Sequence, residues 1–352
     1  MAIETPPDQI IGLPHPREVF EFYGNEAVET ELAQALNAGT LHHGLIFTGP
    51  KGIGKATLAY RLARRYLGAK ASDEGPLASD ETDEICSKIA NDAMPDLRVA
   101  TRFCPDDQKV KRDVNIFAIR ELTKMFALSA SNPMGHRVAI VDCADDLNMN
   151  SANALLKTLE EPPKGALIIL IANSLGAVLP TLRSRSRVFH LRPMPSAKLR
   201  ELVGGSDDAA ITLAKGAYGR ALALKTSKIG EYYSALSAHL NSMPYAPLAP
   251  MMALANKATT IENCELIFDL IDDWLYRTAQ SGLGLEIDEI EPGESATLAR
   301  ISVNLNPKII GDLAIEIGKL RVAIGNNLDK SAAVIEALRL IKTRLTASSK
   351  ND

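Results

Sequence analysis

Five short apolar runs stand out in the first part of the chain: GLIFT (Gly44–Thr48), DLRVA (96–100), RVAIVD (137–142), ALIILIAN (166–173) and RVFHL (187–191). In several of them apolar, β-branched residues follow one another without polar alternation. That is the pattern of parallel strands covered on both faces. Helical periodicity fills the intervals, and the alternation predicts a doubly wound α/β domain closing near residue 193. Residues 71–84 turn to Ser, Asp, Glu, Gly and Pro and predict an acidic surface loop. Residues 102–112, basic with a proline, predict another. Beyond Pro195 no strand pattern recurs. A short helical stretch to about residue 227 precedes an all-helical remainder. There Cys264, Ile267, Ile271 and Trp274 share one helix face, and Val334, Leu338, Ile341 and Leu345 share another. Residues 243–252 hold three prolines and predict a loop or helix break. No internal repeat is found.

A chain of 352 residues calls for two or three domains, and 46 % apolar residues supply their cores. The formal net charge of −4 argues against a bare nucleic-acid binder, so any DNA contact is local or shared with partners. The N-terminus lacks a charged segment followed by an apolar one, and no apolar run reaches the ~18 residues of a membrane span. Cys86, Cys104, Cys143 and Cys264 are scattered and form no CxxC pair. Neither a disulfide framework nor a zinc cluster is expected, and a reducing cytoplasm fits.

Four segments carry candidate chemistry. GPKGIGKAT comprises Gly49, Pro50, Lys51, Gly52, Ile53, Gly54, Lys55, Ala56 and Thr57, directly after the GLIFT strand and before a helical run. Glycines let backbone N–H groups approach phosphate oxygens, and the helix N-terminus and Lys55 add positive charge. The residue after the lysine should be Ser or Thr, whose hydroxyl holds Mg²⁺; here it is Ala56. Thr57 comes one residue late, turned roughly 100° around the helix. The plain alternative is a glycine turn without a ligand. In RVAIVDCADDL the strand ends in Asp142, a candidate metal-supporting acid, followed by Cys143. No histidine adjoins Cys143, which reads as packing. Asp145 and Asp146 read as a solvated acidic turn. In NSANALLKTLEEPP, Asn150 or Ser151 can cap a helix that Pro162 and Pro163 stop. In LPTLRSRSRVF, Arg183, Arg185 and Arg187 alternate with serines before a strand. They form either a solvated basic turn or a source of one guanidinium aimed at a neighbour's phosphate.

Taken in order, these segments resemble the bacterial clamp-loader family of AAA+ proteins. HHGLIFTGPKGIGKATLA is similar to the family's strand and phosphate loop, and SANALLKTLEEPP to its most recognisable stretch. LRSRS stands where the family has Ser-Arg-Cys, with Ser186 in place of the cysteine; the resemblance implies Arg185 as an arginine finger acting in trans. GAYGRALAL (216–224) resembles the second sensor segment and points to Arg220. Asn173 stands where the family has its first polar sensor. NNLDKSAAVIEAL (326–338) resembles the last helix of an oligomerisation collar. The implied architecture is an AAA+-type α/β P-loop domain with a five-stranded parallel sheet (1–194), a small helical lid (195–227) and an all-α collar (228–352).

Within the family, an active motor carries an intact phosphate loop, Asp-Glu in its acidic strand and usually a four-cysteine zinc module. Ala56, Cys143 and the lone Cys86 depart from this and favour the delta-prime branch. That branch implies a stator with little or no ATPase activity of its own, within a DNA polymerase holoenzyme. Its partners would be gamma/tau motor subunits and a delta subunit in a five-membered ring that loads a sliding clamp onto primed DNA. Whether ATP is bound stays open, and no zinc is expected. Two other readings remain: an active ATPase motor of the same complex, and an unrelated P-loop enzyme such as a small-molecule kinase.

Overall fold

The computed structural model describes residues 9–348 apart from 11, 105–108, 112, 205–207, 228, 244 and 325–327. Parts of two sequence expectations, the basic stretch 102–112 and the collar-like stretch 326–338, thus lie outside the described residues. The chain forms two compact units, Met1–Gly204 with Lys215–Ala223, and Gly205–Ala214 with Leu224–Asp352.

Among the described residues of the first unit, seven strands are β1 (Gly44–Thr48), β2 (Leu97–Ala100), β3 (Phe103–Cys104), β4 (Lys109–Val110), β5 (Arg137–Val141), β6 (Ala166–Ala172) and β7 (Arg187–His190). Five of them make one sheet in the order β2-β5-β6-β1-β7, and every neighbouring pair is parallel. The predicted strands are therefore present to within a residue or so at their ends. Side chains alternate across a strand, and the two faces sort accordingly. Leu45, Phe47, Ile140 and Ile169 pack with Leu32, Leu58 and Leu62 from the helices Glu26–Asn37 and Lys55–Tyr66. Ile46, Ala139, Val141, Ile168 and Leu170 pack with Ile119, Leu122, Leu155 and Leu159 from the helices Ile116–Met125 and Met149–Glu160. Both faces are dry, which is why the runs lack polar alternation.

Several local expectations need correction. The basic stretch contains the antiparallel hairpin β3–β4. The acidic loop ends one residue early, because the Asp83 carboxylate accepts from the Ile85 N–H and starts the helix Glu84–Ala90. The helix cap placed at Asn150 or Ser151 is Asn148, whose side chain accepts from the Ser151 N–H at 3.0 Å. The proline-rich break is shorter than expected. A helix begins at Leu248, and Pro250 sits in its first turn, where an N–H has no helical acceptor to lose.

Every element of the second unit among its described residues is a helix, joined by short non-helical segments. The Ile261–Gly282 helix buries Cys264, Ile267, Ile271 and Trp274, and the Lys330–Ser348 helix buries Val334, Leu338, Ile341 and Leu345, as their periodicity predicts. Arg277 and Glu294 form a buried ion pair at 2.6 Å. The Tyr233 hydroxyl and the Ile290 N–H also donate to that carboxylate.

Candidate functional site

The loop after β1 folds around its own lysine. Lys55 opens the Lys55–Tyr66 helix and is buried. Its ammonium donates to the Gly49 carbonyl at 2.6 Å, the Pro50 carbonyl at 2.9 Å and Asn173 Oδ1 at 3.0 Å. Three acceptors match the three donors of an ammonium. Burial pulls its pKa down to about 8, against the opposing pull of Asp142 and Asp145. The glycines are needed for close approach. A Cβ at Gly52 would lie 2.6 Å from the Arg220 backbone nitrogen, and one at Gly54 would touch the Phe22 ring at 3.0 Å. The Gly219 N–H donates to the Gly52 carbonyl at 2.9 Å, so the GAYGRALAL segment sits on the loop.

A cavity of about 440 Å³ opens beside this loop. Lys51, Gly52, Ile53, Gly54, Lys55, Ala56, Thr57, Asp142 and Asn173 line it. Nine of the predicted nucleotide-site residues thus share one wall. Thr57 reaches it despite its offset around the helix. Gly49 and Pro50 serve through their carbonyls on Lys55, while Arg220, half-buried, packs by its backbone and does not line the cavity.

The other wall was not read from the sequence. Arg61 and Arg64, on the helix that follows the loop, are buried guanidiniums. Arg61 pairs with Glu29 at 2.6 Å and donates to the Phe20 carbonyl. Arg64 donates to the Val19 carbonyl at 2.9 Å and the Arg17 carbonyl at 2.6 Å, and burial lowers its pKa to about 10. These bonds fasten residues 17–20 and bring Phe22 and Tyr23 to the cavity. Tyr23 meets Tyr218 edge to face, with centroids 5.0 Å apart. Ile10 and Leu13 complete an apolar wall.

The acidic side also differs from expectation. Asp145 is not a bare solvated acid: it accepts from the Asn173 N–H at 2.7 Å and fixes the residue that receives Lys55. Asp146 pairs with Arg102 at 3.3 Å, and Arg102 lines the cavity. Cys143 has a left-handed backbone, φ 63°. Burial, then the charge of Asp142, pushes its thiol up to about 12, so it stays protonated. Cys143 also lines the cavity. A P-loop site holds Mg²⁺ through the hydroxyl after the lysine and the acid of the strand. Ala56 offers no hydroxyl at the position after the lysine, and Asp142 is the acid kept at the end of the strand.

Arg185 lies at the opposite end of the sheet. A Cβ on Gly44, the first residue of β1, would sit 3.0 Å from the Arg185 carbonyl, whereas the lysine loop follows the last residue, Thr48. Four steps of about 3.3 Å separate those ends. Arg185 pairs with Glu160 at 2.6 Å and donates to the Thr181 carbonyl and Ser184 Oγ, both at 3.1 Å, while staying partly exposed. Arg187 is paired with Glu31.

Residues 24–195 match the family model described as DNA polymerase III, delta subunit. Over 292 residues the chain is 28 % identical to DNA polymerase III subunit delta' of Escherichia coli, covering 80 % of this chain and 84 % of that one. The chain is thus similar to delta' subunits of DNA polymerase III. It is also 30 % identical to the Pseudomonas aeruginosa delta' subunit, over 44 % of each chain. It is 32 % identical to subunit gamma/tau of Mycobacterium tuberculosis, over 53 % of this chain and 31 % of that one. The match thus spans less than half the length of these last two relatives. In this chain the loop lysine is kept, and the hydroxyl and the second acid are not.

Proposed function

We propose that this protein is the delta-prime stator of a bacterial DNA polymerase III clamp loader, acting in the cytoplasm on a neighbour's ATP and not on its own. The carrying observation is the pairing of two facts. Its own pocket has Ala56 and a protonated Cys143 where hydrolysis needs a hydroxyl and a carboxylate, and Arg185 stands at the opposite end of the same sheet's strands. Losing the metal ligand and the water-orienting acid removes two separate sources of transition-state stabilisation. Arginine suits the trans role through its fixed charge and forked donors. The partners are gamma/tau motor subunits and a delta subunit in a five-membered ring, with the sliding clamp and primed DNA engaged through the complex. The division into a P-loop domain (1–194), a lid (195–227) and a collar (228–352) belongs to this proposal. Among the described residues no helix is long and apolar enough to cross a membrane.

The test is co-purification with gamma/tau and delta subunits, followed by clamp loading on primed DNA. Assembly with loading activity supports the reading; failure to assemble with either subunit refutes it. The motor reading keeps one supporting observation, the intact Gly49–Lys55 cradle. Isolated protein that turns over ATP, at a rate abolished by Lys55→Ala, would establish it instead.

A further inference from the structure

We propose that Glu160 is a positioning residue for Arg185: its carboxylate holds the guanidinium in the orientation from which it meets a neighbouring subunit's phosphate. This rests on the trans role of Arg185 proposed above and names a residue on which that role depends.

The helix Met149–Glu160 ends in two acids, Glu160 and Glu161, ahead of Pro162 and Pro163. The negative end of a helix dipole favours cations, so a carboxylate at this place works against its own helix. It is nevertheless firmly seated. His43 Nε2 donates to the Leu159 carbonyl at 2.9 Å and so serves one of the carbonyls left open at the helix end. A Cβ at Gly44 would lie 2.8 Å from Leu159 Cδ2 and 3.0 Å from the Arg185 carbonyl. The helix end and the arginine backbone thus rest on one residue of β1.

An arginine side chain is long and flexible, and unheld it spreads over many rotamers. Glu160 Oε1 stands 2.6 Å from Arg185 Nη2. Nη1 donates to the Thr181 carbonyl and to Ser184 Oγ, both at 3.1 Å. These three contacts fix the plane of the guanidinium, and the carboxylate is the charged one among them. Nε, and the N–H of Nη2 that the carboxylate does not take, remain for an outside acceptor. Both side chains are partly exposed, at 36 % and 48 %, so the pair adds little to folding stability. Its effect is on where the charge points. The carboxylate weakens the attraction for an incoming phosphate, but water and salt screen an exposed charge. Misplacing a catalytic group by about 1 Å can cost roughly a hundredfold in rate, which decides in favour of holding it.

Steady-state ATPase of the reconstituted complex, with clamp and primed DNA, tests the proposal. Arg185→Ala first defines the share of turnover that depends on the guanidinium. The rotamer freedom of arginine limits the gain from holding it to roughly thirtyfold. Glu160→Ala should slow that one site by about five- to thirtyfold, through kcat and not through KM for ATP. Glu160→Gln, which keeps an acceptor oxygen and loses the charge, should recover part of the loss. Glu160→Lys repels the guanidinium yet suits the helix end, so it should slow the site at least as much while Tm holds or rises; it also serves if Glu160→Ala fails to assemble. Glu160→Ala combined with Arg185→Ala should be no slower than Arg185→Ala alone, because Glu160 acts only through the guanidinium. Wild-type or faster turnover in the Glu160 variants, with Arg185→Ala still slow, overturns the positioning role and leaves the trans role standing. A further loss in the double variant, or a fall in Tm that tracks the loss of rate, overturns it in favour of a structural role. Unchanged turnover with Arg185→Ala removes the trans role and this one with it.

Discussion

At its C-terminal end strand β1 runs into a loop whose lysine is held by three protein acceptors, beneath a wall fastened by two buried arginines. At its N-terminal end the same strand packs against Arg185, which is partly exposed and held by a single carboxylate and two weaker acceptors. The first end is pre-organised, closed on itself and short of hydrolytic groups. The second offers a partly exposed, permanently charged group. The contrast also separates the two ends experimentally, since a substitution at one need not disturb the other.

The largest expected effect is at the exposed end. In the assembled complex, Arg185→Ala should lower the turnover of the one site it completes by roughly 10³-fold or more. The DNA- and clamp-stimulated ATPase of the whole ring should lose the share that site carries. Lys55→Ala should leave that rate unchanged. Arg183→Ala and Arg187→Ala control for simple loss of charge, and Arg185→Lys should rescue poorly. Steady-state ATPase of the complexes decides it. Wild-type rates with Arg185→Ala would reduce LRSRS to a basic turn.

How far each end was legible from sequence follows the range of the interactions that build it. Buried strands announce themselves by local composition, so GLIFT, RVAIVD and ALIILIAN were placed to within a residue. Asp145 was misread because its partner, the Asn173 N–H, lies across a strand crossover. Phe22 and Tyr23 went unnoticed for the same reason: their position depends on guanidiniums at Arg61 and Arg64 that reach carbonyls about forty residues earlier, and such bonds leave no spacing signature. Arg102 was seen only as part of a basic stretch, since its place in the cavity is tertiary. The absences at Ala56 and Cys143 were legible, being departures at positions that local context had already fixed.

The closed end should be the more fragile. Glu29→Ala leaves Arg61 buried without its carboxylate and also strips the Leu77 N–H of its acceptor. Breaking a buried pair on one side costs about 3–5 kcal/mol. Glu160→Ala, at the exposed end, should cost less than about 1 kcal/mol by the same urea-melt measurement. Equal losses would erase the contrast between a built pocket and an open arginine.

Lys55 makes the pocket pH-sensitive. Its folded pKa lies below the ordinary value, at about 8, because of burial. Between about 8 and the unfolded value of 10.5 the unfolded chain holds a proton that the folded chain has released, so stability rises with pH across that window. Below about 8 both states are protonated and the burial penalty is constant. Against Lys55→Met, the wild type should gain stability as pH rises from 7.5 towards 9.5, by about 3 kcal/mol at most. Parallel curves for the two proteins would show that Lys55 is not the group responsible.

The smallest effect separates the arginine from its immediate neighbour. Ser186 Oγ is buried beside Gly44 and finds no hydrogen-bond partner among the described residues. An unsatisfied buried hydroxyl costs about 1–3 kcal/mol. Cysteine is a small, largely apolar side chain that tolerates such a place, and Gly44, lacking a Cβ, leaves room for the longer bond to sulfur. Ser186→Cys should therefore hold or raise stability, by about 1 kcal/mol, equivalent to a few degrees in Tm. It should leave the ATPase of the assembled ring alone, because the change adds no charge and faces the sheet, not the neighbour. A fall in Tm would mean that the hydroxyl is satisfied in solution and the sulfur overpacks the strand. A change in ring ATPase at unchanged Tm would mean that this position sets where Arg185 points, which would make the exposed end less free than its single carboxylate suggests.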